Sequence, residues 1–443
     1  MTRVVSHRIE TVSGTLTVPG DKSISHRALI IGASAVGETN IYGLLEAGDV
    51  MATVLALRNL GADVKKNSDG SWSVFGRGVG GLSESTAILD MGNSGTGARL
   101  LMGLVAAHPF NTIFSGDTSL CARPMGRVIY PLRRMGAGFN AHSGDTLPLI
   151  VQGSDMLRPV TEALTVASAQ VKSAILLAGL NTRGQTTVVE AFPSRDHSEN
   201  MLEAFGAEIS IVEEERGKAI TLTGYPELLA QNISIPGDFS SAAFPMVAAL
   251  ITPGDGILIN NVCLNSLRKG LLDTLLEMGA KINIKHHDVL SGEQVGDISV
   301  KFGPLKGVRV PSERAPKMID EYPILAVAAA CAEGKTVFEG VSELRLKESD
   351  RLSAISRGLA ACDVEVDETK DSISITGKGK APLGGGHILS NMDHRVAMAF
   401  LVLGMVTEKP IIVDDAAYID TSFPGFIEVM NGLGGDLRAG VEL

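Results

Sequence analysis

Two kinds of helix alternate along this chain, and their recurrence constrains the fold more than any other feature. Helices of the first kind are amphipathic, end on small residues and run into a strand-like alternation of apolar and polar positions. Their ends lie at Ala62, Ala137, Ala207, Ala280, Ala361 and Gly435. The stretches are VLALRNLGADV, PLRRMGAGF, MLEAFGAEISI, LLDTLLEMGAKINI, ISRGLAACDVEV and FIEVMNGLGGDL. This regular recurrence indicates a repeated α/β unit.

Helices of the second kind are apolar nearly all round and rich in Ala and Gly. They are SISHRALIIGAS, GTGARLLMGLVAA, AQVKSAILLAGL, SSAAFPMVAALI, YPILAVAAACA and HRVAMAFLVLGMV. A helix without a polar face is a buried helix, and small side chains let such helices pack closely together. Because the two series interleave, the chain reads as six copies of one unit: buried helix, strand, amphipathic helix, strands.

The length of the chain divides these six units into domains. A chain of 443 residues is too long for one ordinary core, so two domains are expected. Three units in each give two similar α/β domains of about equal size. We expect the break between the third and fourth units, near residues 235–238, where the sequence reads Ile-Pro-Gly-Asp.

Charge and cysteine content exclude several classes of protein. The net charge of −11 predicts a surface that repels nucleic acid and anionic membranes, so an anion site must be a local cluster of cations. The four cysteines show no metal-ligand spacing, which is typical of reduced thiols. The N-terminus has no apolar segment of the signal-peptide type, and no apolar run is long enough to span a bilayer. We therefore expect a cytoplasmic protein without a metal, a nucleic-acid partner or a membrane partner.

Polar residues stand immediately before each buried helix, at residues 20–23, 92–97, 168–170, 237–241, 320–323 and 391–395. N-capping accounts for the Ser, Asp and Asn residues there. It does not account for Lys22, Arg27 and Arg395, because the helix dipole disfavours positive charge in the first turns. A bound anion would offset that cost and would also accept hydrogen bonds from the helix N-terminus. The glycines between Gly92 and Gly97 leave backbone N–H groups unshielded, but fit neither the P-loop nor the Rossmann spacing.

The starts of the amphipathic helices carry a second set of charges, which includes Arg123, Arg195 and the stretch KESDR from Lys347 to Arg351. A helical spacing would put Lys347, Glu348 and Arg351 on one face, where they could also form a solvated ion-pair face. Several cations near aligned helix N-termini focus a positive potential, so the substrate should carry several negative charges. Asp320 and Glu348 are the carboxylates placed to move protons. We expect acid–base chemistry with electrostatic stabilisation.

An ordered set of motifs carries a family resemblance from about residue 10 to residue 430: PGDKSISHR, GNSGTGARL, ARPMGR, SAQVKSA, SRDHSE, IDEYP, KESDR and MDHRVAM. Together they resemble the 5-enolpyruvylshikimate-3-phosphate (EPSP) synthase family, with SRDHSE and DTSFPGF closer to its bacterial class II variants. The resemblance implies an inside-out α/β barrel type of fold, in which each domain has three βαβαββ repeats and the active site lies between the domains. It also implies a C-terminal domain of residues 1–20 plus 237–443, an N-terminal domain of residues 21–236, no cofactor and a monomeric state.

The resemblance further implies transfer of the enolpyruvyl group of phosphoenolpyruvate to the 5-hydroxyl of shikimate 3-phosphate, with release of phosphate, in chorismate and aromatic amino acid biosynthesis. The implied shikimate 3-phosphate set is Lys22, Ser23, Arg27, Ser168, Ala169, Gln170, Arg195, Asp320 and Lys347. The implied phosphoenolpyruvate set is Lys22, Asn93, Gly95, Arg123, Gln170, Glu348, Arg351 and Arg395. Lys22, Asp320 and Glu348 are the expected catalytic residues. Because Gly95 carries no side chain, we also expect glyphosate to inhibit the enzyme at the phosphoenolpyruvate site.

One position departs from the family pattern, and three alternative assignments fit the sequence less well. Class I relatives have a lysine where Asp420-Thr421-Ser422 stands here, so one phosphoenolpyruvate contact is expected to be missing or supplied by the backbone. The nearest alternative is the UDP-N-acetylglucosamine enolpyruvyl transferase, but it has Lys-Asn in place of Lys22-Ser23, and Cys121 does not match its loop cysteine. An RNA-end enzyme disagrees with the acidic charge. A non-catalytic scaffold would have no reason to place cations at equivalent helix starts.

Overall fold

The structure, a computed structural model, describes residues 3–215, 217–287, 289–414 and 416–440. Its α-helices are α1 (Lys22–Ala33), α2 (Gly48–Asn59), α3 (Gly95–Ala106), α4 (Thr118–Ala122), α5 (Gly126–Met135), α6 (Ala169–Leu180), α7 (His197–Ala204), α8 (Phe239–Ile251), α9 (Gly270–Glu277), α10 (Tyr322–Cys331), α11 (Arg351–Ala361), α12 (His394–Gly404) and α13 (Phe426–Gly432). Short 3-10 helices cover Ser266–Arg268, Ser312–Lys317, Ser342–Leu346 and Ala416–Thr421.

The strands are β1 (Val4–His7), β2 (Ser13–Thr17), β3 (Glu38–Tyr42), β4 (Asp63–Lys66), β5 (Trp72–Phe75), β6 (Leu89–Asp90), β7 (Asn111–Ser115), β8 (Gly138–His142), β9 (Thr146–Gln152), β10 (Thr161–Leu164), β11 (Gln185–Glu190), β12 (Ile209–Glu214), β13 (Gly217–Thr223), β14 (Asn232–Ser234), β15 (Gly256–Cys263), β16 (Lys281–His286), β17 (Val295–Lys301), β18 (Arg309–Val310), β19 (Glu333–Glu339), β20 (Glu365–Glu368), β21 (Ser372–Lys378), β22 (His387–Ile388), β23 (Ile411–Val413) and β24 (Asp436–Ala439).

The strands form four-stranded sheets of a single design. Their orders are β14-β3-β5-β4, β6-β7-β9-β8, β10-β11-β13-β12, β2-β15-β17-β16, β18-β19-β21-β20 and β22-β23-β1-β24. In every sheet the first two strands are parallel and the remaining neighbours antiparallel. The path β10-α6-β11-α7-β12-β13 shows the unit in one uninterrupted piece. The predicted βαβαββ repeat is therefore confirmed.

Three strands pair far from their neighbours in the sequence. Strand β2 leads into α1 but pairs with β15, and β14 leads into α8 but pairs with β3. Strand β1 lies between β23 and β24 at the other end of the chain. In this way sequence-distant strands complete sheets whose own repeats lack one strand.

The chain forms two compact units. Unit 1 contains Met1–Pro19, Pro236–Asp288 and Gln294–Leu443, and unit 2 contains Gly20–Ile235 and Val289–Glu293. The segment Val289–Glu293 belongs to unit 2, whereas the sequence placed it in the C-terminal domain. The hairpin strands β16 and β17 on either side of it belong to unit 1.

Each unit has a core of three helices that the sequence predicted to be buried. Helices α1, α3 and α6 pack together in unit 2, and α8, α10 and α12 pack together in unit 1. Small residues allow this close approach: a Cβ at Gly103 in α3 would lie 2.2 Å from the carbonyl oxygen of Ala174 in α6. The predicted N-caps are also present, because the side chains of Asp21, Ser94, Ser168, Asp238 and Asp393 accept hydrogen bonds from backbone N–H groups of their helices.

Within the described part of the chain, no helix combines the length and apolar character needed to cross a membrane.

A buried histidine in α1 makes the stability of the fold depend on pH. The Nδ1 atom of His26 lies 2.8 Å from Oγ1 of Thr53 in α2, and burial, reinforced by Lys22 and Arg27, lowers the pKa of His26 to about 3. As the pH falls, His26 therefore binds a proton near pH 6.5 in the unfolded chain but only near pH 3 in the folded chain. The contribution of neutral His26 to the free energy of unfolding is complete above pH 6.5 and is lost as the pH falls toward 3.

We expect the free energy of unfolding to decrease by about 1.4 kcal/mol more per pH unit in the wild type than in a His26→Gln variant, over roughly pH 6 to 5. Glutamine keeps a polar side chain near Thr53 but does not titrate. Urea unfolding at several pH values measures the difference. Parallel pH dependences for the two proteins would contradict it.

Candidate active site

Arg27 in α1 is the centre of one group of predicted site residues in unit 2. Its Nε donates to Oγ of Ser198 at 2.7 Å, and its two terminal nitrogens donate to Oγ of Ser173 at 2.7 Å and to the carbonyl oxygen of Ser23 at 2.9 Å. All three acceptors are neutral. Burial lowers the pKa of Arg27 to about 10; Glu199 opposes the shift, and the positive charge of Arg195 adds to it. Arg27 thus forms no ion pair with any described residue, although its side chain is buried.

The helix-start segments of α6 and α7 lie in the same unit. Ser168 caps α6 and accepts from the backbone N–H of Val171, and Ala169 is the first helical residue. Arg195 lies two residues before α7 begins at His197, so it stands in the turn that follows β11. The predicted shikimate 3-phosphate residues of unit 2 are therefore the starts of α1 and α6 and the turn before α7.

A second group in unit 2 surrounds the start of α3. Arg123 donates to Oδ1 of Asn93 at 2.7 Å and to Oγ of Ser119 at 3.0 Å. Asn93 in turn donates to Oδ2 of Asp117 at 2.7 Å. This chain of hydrogen bonds fixes the orientation of the Arg123 guanidinium. Arg123 does not start an amphipathic helix as expected, because it follows the short helix α4 and lies three residues before α5.

Gln170 and Arg99 border the same helix start. The amide of Gln170 donates to Oγ1 of Thr96 at 2.9 Å and accepts from Arg99 at 2.9 Å. At Gly95, the first residue of α3, an added Cβ would lie 2.9 Å from the nearest guanidinium nitrogen of Arg99 and 3.1 Å from that of Arg123. The absence of a side chain at Gly95 therefore keeps space beside two guanidinium groups.

Lys22 begins α1 and forms an ion pair with Asp49 at 3.0 Å. Asp49 lies in the first turn of α2, where a carboxylate also interacts favourably with the helix dipole. The two side chains are largely buried, so this pair fixes the lysine that the sequence assigned to both substrates.

Arg351 organises the predicted residues of unit 1. Its side chain has no exposed surface, and it pairs with Asp393 at 2.8 Å, with Asp320 at 3.2 Å and with Glu348. Burial alone would lower the pKa of Arg351, but the three carboxylates outweigh it and the pKa is raised. The two carboxylates expected to move protons, Asp320 and Glu348, therefore share one guanidinium.

Two further cations complete this cluster. The Nε of Arg395, in the first turn of α12, lies 3.7 Å from Oδ1 of Asp320. Burial lowers the pKa of Lys347, an effect that Asp320 and Glu348 oppose and Arg351 reinforces. A lysine with a lowered pKa beside a carboxylate can exchange a proton more readily than an ordinary surface lysine.

The expectation that Lys347, Glu348 and Arg351 share one face of a helix was wrong. Lys347 ends the 3-10 helix Ser342–Leu346, and α11 begins only at Arg351. Asp350 caps α11 by accepting from the backbone N–H of Ser353, and this cap stops the helix from extending back to Lys347. The three residues still meet, because Glu348 folds back onto the guanidinium of Arg351. Arg27 likewise begins the second turn of α1 rather than lying in the first.

Sequence reasoning missed the acidic residues that hold these cations. Asp49 and Asp393 pair with Lys22 and Arg351, and Asp117 accepts from the amide of Asn93, to which Arg123 donates. Each of the three aspartates lies at the start of a helix. It also missed Lys172, a fully buried lysine in the otherwise apolar helix α6. The one sequence feature that could have revealed Lys172 is a charged residue within an apolar helix.

No group of three or more metal-ligating side chains was found among the residues that the structure describes.

The structure is thus that of an α/β protein with cations near the starts of helices in each unit and with two carboxylates paired to Arg351 in unit 1, an arrangement suited to binding anions and transferring protons. The family model for EPSP synthase (3-phosphoshikimate 1-carboxyvinyltransferase) matches residues 7–430. A 3-phosphoshikimate 1-carboxyvinyltransferase from Paramagnetospirillum magneticum is 58% identical over 430 residues, which cover 97% of this chain and 96% of the relative. The enzyme of that name from Parvibaculum lavamentivorans is 56% identical over 95% of this chain and 94% of its own.

Solved structures agree with this assignment. A structure of EPSP synthase from Acinetobacter baumannii has a TM-score of 0.88 and 40% identity, with all of both chains covered. The enolpyruvyl transferase NikO from Streptomyces tendae shares the fold, with a TM-score of 0.79 at 16% identity over 100% of this chain and 99% of its own. The chain belongs to the EPSP synthase family and is a transferase. The predicted fold class and family are confirmed.

Proposed function

We propose that the enzyme transfers the enolpyruvyl group of phosphoenolpyruvate to the 5-hydroxyl of shikimate 3-phosphate and releases phosphate. The observation that carries this proposal is that Arg351 binds both Asp320 and Glu348, because the reaction needs two groups that transfer protons. The family assignment supplies the substrates. Each substrate carries a phosphate and a carboxylate, which accounts for a candidate site that contains several buried or half-buried cations.

The two substrates are assigned to different residues. Shikimate 3-phosphate binds the set Lys22, Ser23, Arg27, Ser168, Ala169, Gln170, Arg195, Asp320 and Lys347. Phosphoenolpyruvate binds the set Lys22, Asn93, Gly95, Arg123, Gln170, Glu348, Arg351 and Arg395. The neutral hydrogen-bond partners of Arg27 support its assignment, since its side chain keeps its positive charge available to an anion. The hydrogen bonds from Arg123 to Asn93 and Ser119 support the assignment of Arg123, since they hold its guanidinium beside the start of α3.

The proton transfers balance in two steps. In the first, Asp320 takes the proton of the 5-hydroxyl while its oxygen bonds to C2 of phosphoenolpyruvate, and Glu348 gives a proton to C3. In the second, the tetrahedral intermediate breaks its bond from C2 to the phosphate oxygen, the leaving phosphate takes the proton that Asp320 holds, and C3 returns its proton to Glu348. Lys22, Arg123, Arg351 and Arg395 stabilise the phosphate as it leaves. The enzyme acts as a monomer in the cytoplasm, and glyphosate competes for the phosphoenolpyruvate residues.

Gly95 determines how strongly glyphosate binds. In a Gly95→Ala variant the new methyl group would contact the guanidinium groups of Arg99 and Arg123, which must then shift. We expect the inhibition constant of glyphosate to rise by about tenfold or more and the KM of phosphoenolpyruvate by much less, because the larger ligand has less room to adjust. Inhibition kinetics with both ligands measure the two effects.

The matched control is Gly432→Ala in α13, where an added Cβ would meet no atom within 4 Å. We expect it to change neither constant. Equal losses of glyphosate and phosphoenolpyruvate affinity in Gly95→Ala would contradict the role given to this position.

The proposed reaction is tested by mixing the purified enzyme with shikimate 3-phosphate and phosphoenolpyruvate, without added metal or nucleotide, and following phosphate release. We expect release only when both substrates are present. Release that requires UDP-N-acetylglucosamine instead of shikimate 3-phosphate would transfer the assignment to the related enolpyruvyl transferase.

A further inference from the structure

Lys172 is a buried charge to which the proposed reaction gives no role. It lies in the first turn of α6 with 1% of its side chain exposed and pairs with Glu190 at 2.8 Å and with Glu199 at 2.6 Å. Burial by itself lowers the pKa of Lys172, but the attraction of the two carboxylates outweighs it and the pKa is raised, so the lysine stays charged. Burying an ion cluster is costly, and one kept in the interior invites a functional explanation.

The ion cluster of Lys172, Glu190 and Glu199 joins the elements that carry the predicted shikimate 3-phosphate residues of unit 2. Glu190 ends β11 and accepts a hydrogen bond from the hydroxyl of Ser194, while Lys172 donates to the carbonyl oxygen of Ser194 at 3.3 Å. Ser194 immediately precedes Arg195. Glu199 lies in the first turn of α7, so Lys172 connects α6, the turn that carries Arg195 and the start of α7.

Among the carboxylates, Glu199 has the largest effect on the pKa of Arg27. Its neighbour Ser198 accepts from Nε of Arg27 at 2.7 Å, and Ser198 and Ser173 share a hydrogen bond of 2.6 Å. Glu199 is the first of the acidic groups that raise the pKa of Arg27 against the effect of burial. Glu199 directly follows a residue that Arg27 binds and could form an ion pair with the arginine, yet Glu199 pairs with Lys172 and Arg27 binds only neutral oxygens.

We propose that Lys172 is a positioning residue for the acceptor site: it holds Glu199 away from Arg27, so that the guanidinium keeps its charge for the anionic groups of shikimate 3-phosphate. This inference rests on the proposed function, because it takes Arg27 as a shikimate 3-phosphate ligand. Without the lysine, Glu199 is released to pair with Arg27 and competes with the substrate. The same release leaves Glu190 without a counter-charge beneath Ser194 and Arg195.

The experiment measures shikimate 3-phosphate binding by titration calorimetry and the KM of phosphoenolpyruvate by phosphate release. In Lys172→Met we expect the dissociation constant of shikimate 3-phosphate to rise by about tenfold or more. We expect kcat at saturating shikimate 3-phosphate and the KM of phosphoenolpyruvate to change much less. The matched control is Leu176→Ala, one turn later in α6 and fully buried, which loosens the same helix without changing its charge.

Two double variants distinguish the release of Glu199 toward Arg27 from a general loss of structure. Lys172→Met/Glu199→Gln and Lys172→Met/Glu190→Gln have the same net charge, but only the first removes the carboxylate that faces Arg27. We expect the first to bind shikimate 3-phosphate about tenfold more tightly than the second, even if Lys172→Met alone fails to fold. Equal affinities of the two double variants, or an equal loss in Leu176→Ala, would overturn the inference while leaving the proposed function intact. A wild-type enzyme that does not bind shikimate 3-phosphate would overturn both.

Discussion

A Glu348→Gln variant is expected to lose at least about a hundredfold in kcat for phosphate release while retaining its stability to urea. Glutamine has the same shape and keeps an oxygen that can accept from Arg351, which Glu348 contacts in the structure. It cannot carry a proton to or from C3 of phosphoenolpyruvate. With 19% of its side chain exposed, Glu348 is reachable by substrate yet held by a guanidinium without exposed surface.

Hydrogen exchange at C3 identifies the step that is lost. In heavy water the wild type is expected to introduce deuterium into the methylene group of phosphoenolpyruvate when shikimate 3-phosphate is present, and Glu348→Gln is expected to do so far more slowly. Glu368→Gln is the control, because Glu368 is also paired with an arginine, Arg345, but in a more exposed pair. Undiminished exchange in Glu348→Gln would show that the proton at C3 is not carried by Glu348, and Asp320 would take its place.

An Arg351→Met variant is expected to lower the free energy of unfolding by about 3–5 kcal/mol. Arg351 is the shared counter-charge of three carboxylates, of which Asp393 is fully buried and Asp320 and Glu348 are 18% and 19% exposed. Removing the cation leaves these groups with their mutual repulsion and without the guanidinium that they share. Asp393 also caps α12 through two backbone N–H groups, so its displacement would weaken the start of that helix.

Arg345→Met provides a matched comparison, because Arg345 pairs with Asp350 at 2.8 Å and with Glu368 at 2.7 Å while a quarter of its side chain is exposed. We expect it to cost less than about 1 kcal/mol, since water screens an exposed ion pair. Urea unfolding of both variants measures the difference. Similar losses of stability would mean that burial does not distinguish the two arginines.

Local sequence patterns were sufficient to predict most of the helices. The Ala-rich run of α10 and the apolar run of α12 predicted buried helices because neither stretch has a polar face that water could solvate. Asp21 and Ser168 were recognisable as caps, since their side chains satisfy backbone groups only a few residues away. The break before Arg351 escaped prediction, because a helical spacing and a 3-10 turn followed by a cap bring the same residues together.

The candidate site was likewise predictable from the sequence only in part. Lys22 was identified from the sequence because a positive charge beside a helix N-terminus is locally unfavourable and calls for an anion, and Arg123 and Arg351 were identified because cations recur at equivalent positions of the repeat. Their partners Asp49, Asn93 and Asp393 could not be matched to them, since each pair joins residues that are 27, 30 and 42 positions apart. Contacts between residues this far apart in the sequence depend on how the repeats pack and not on any local spacing.

The sequence by itself determined the six-fold repeat, the identity of the buried helices and the family, because these depend on periodicity and on short motifs. Only the tertiary structure decided that β1 joins the last sheet, that β2 and β14 pair with sequence-distant strands, and that Lys172 binds Glu199 while Arg27 binds neutral oxygens. Strand pairing and ion pairing at long range are set by packing, since a strand edge or a charge accepts whichever partner the fold brings within hydrogen-bonding distance.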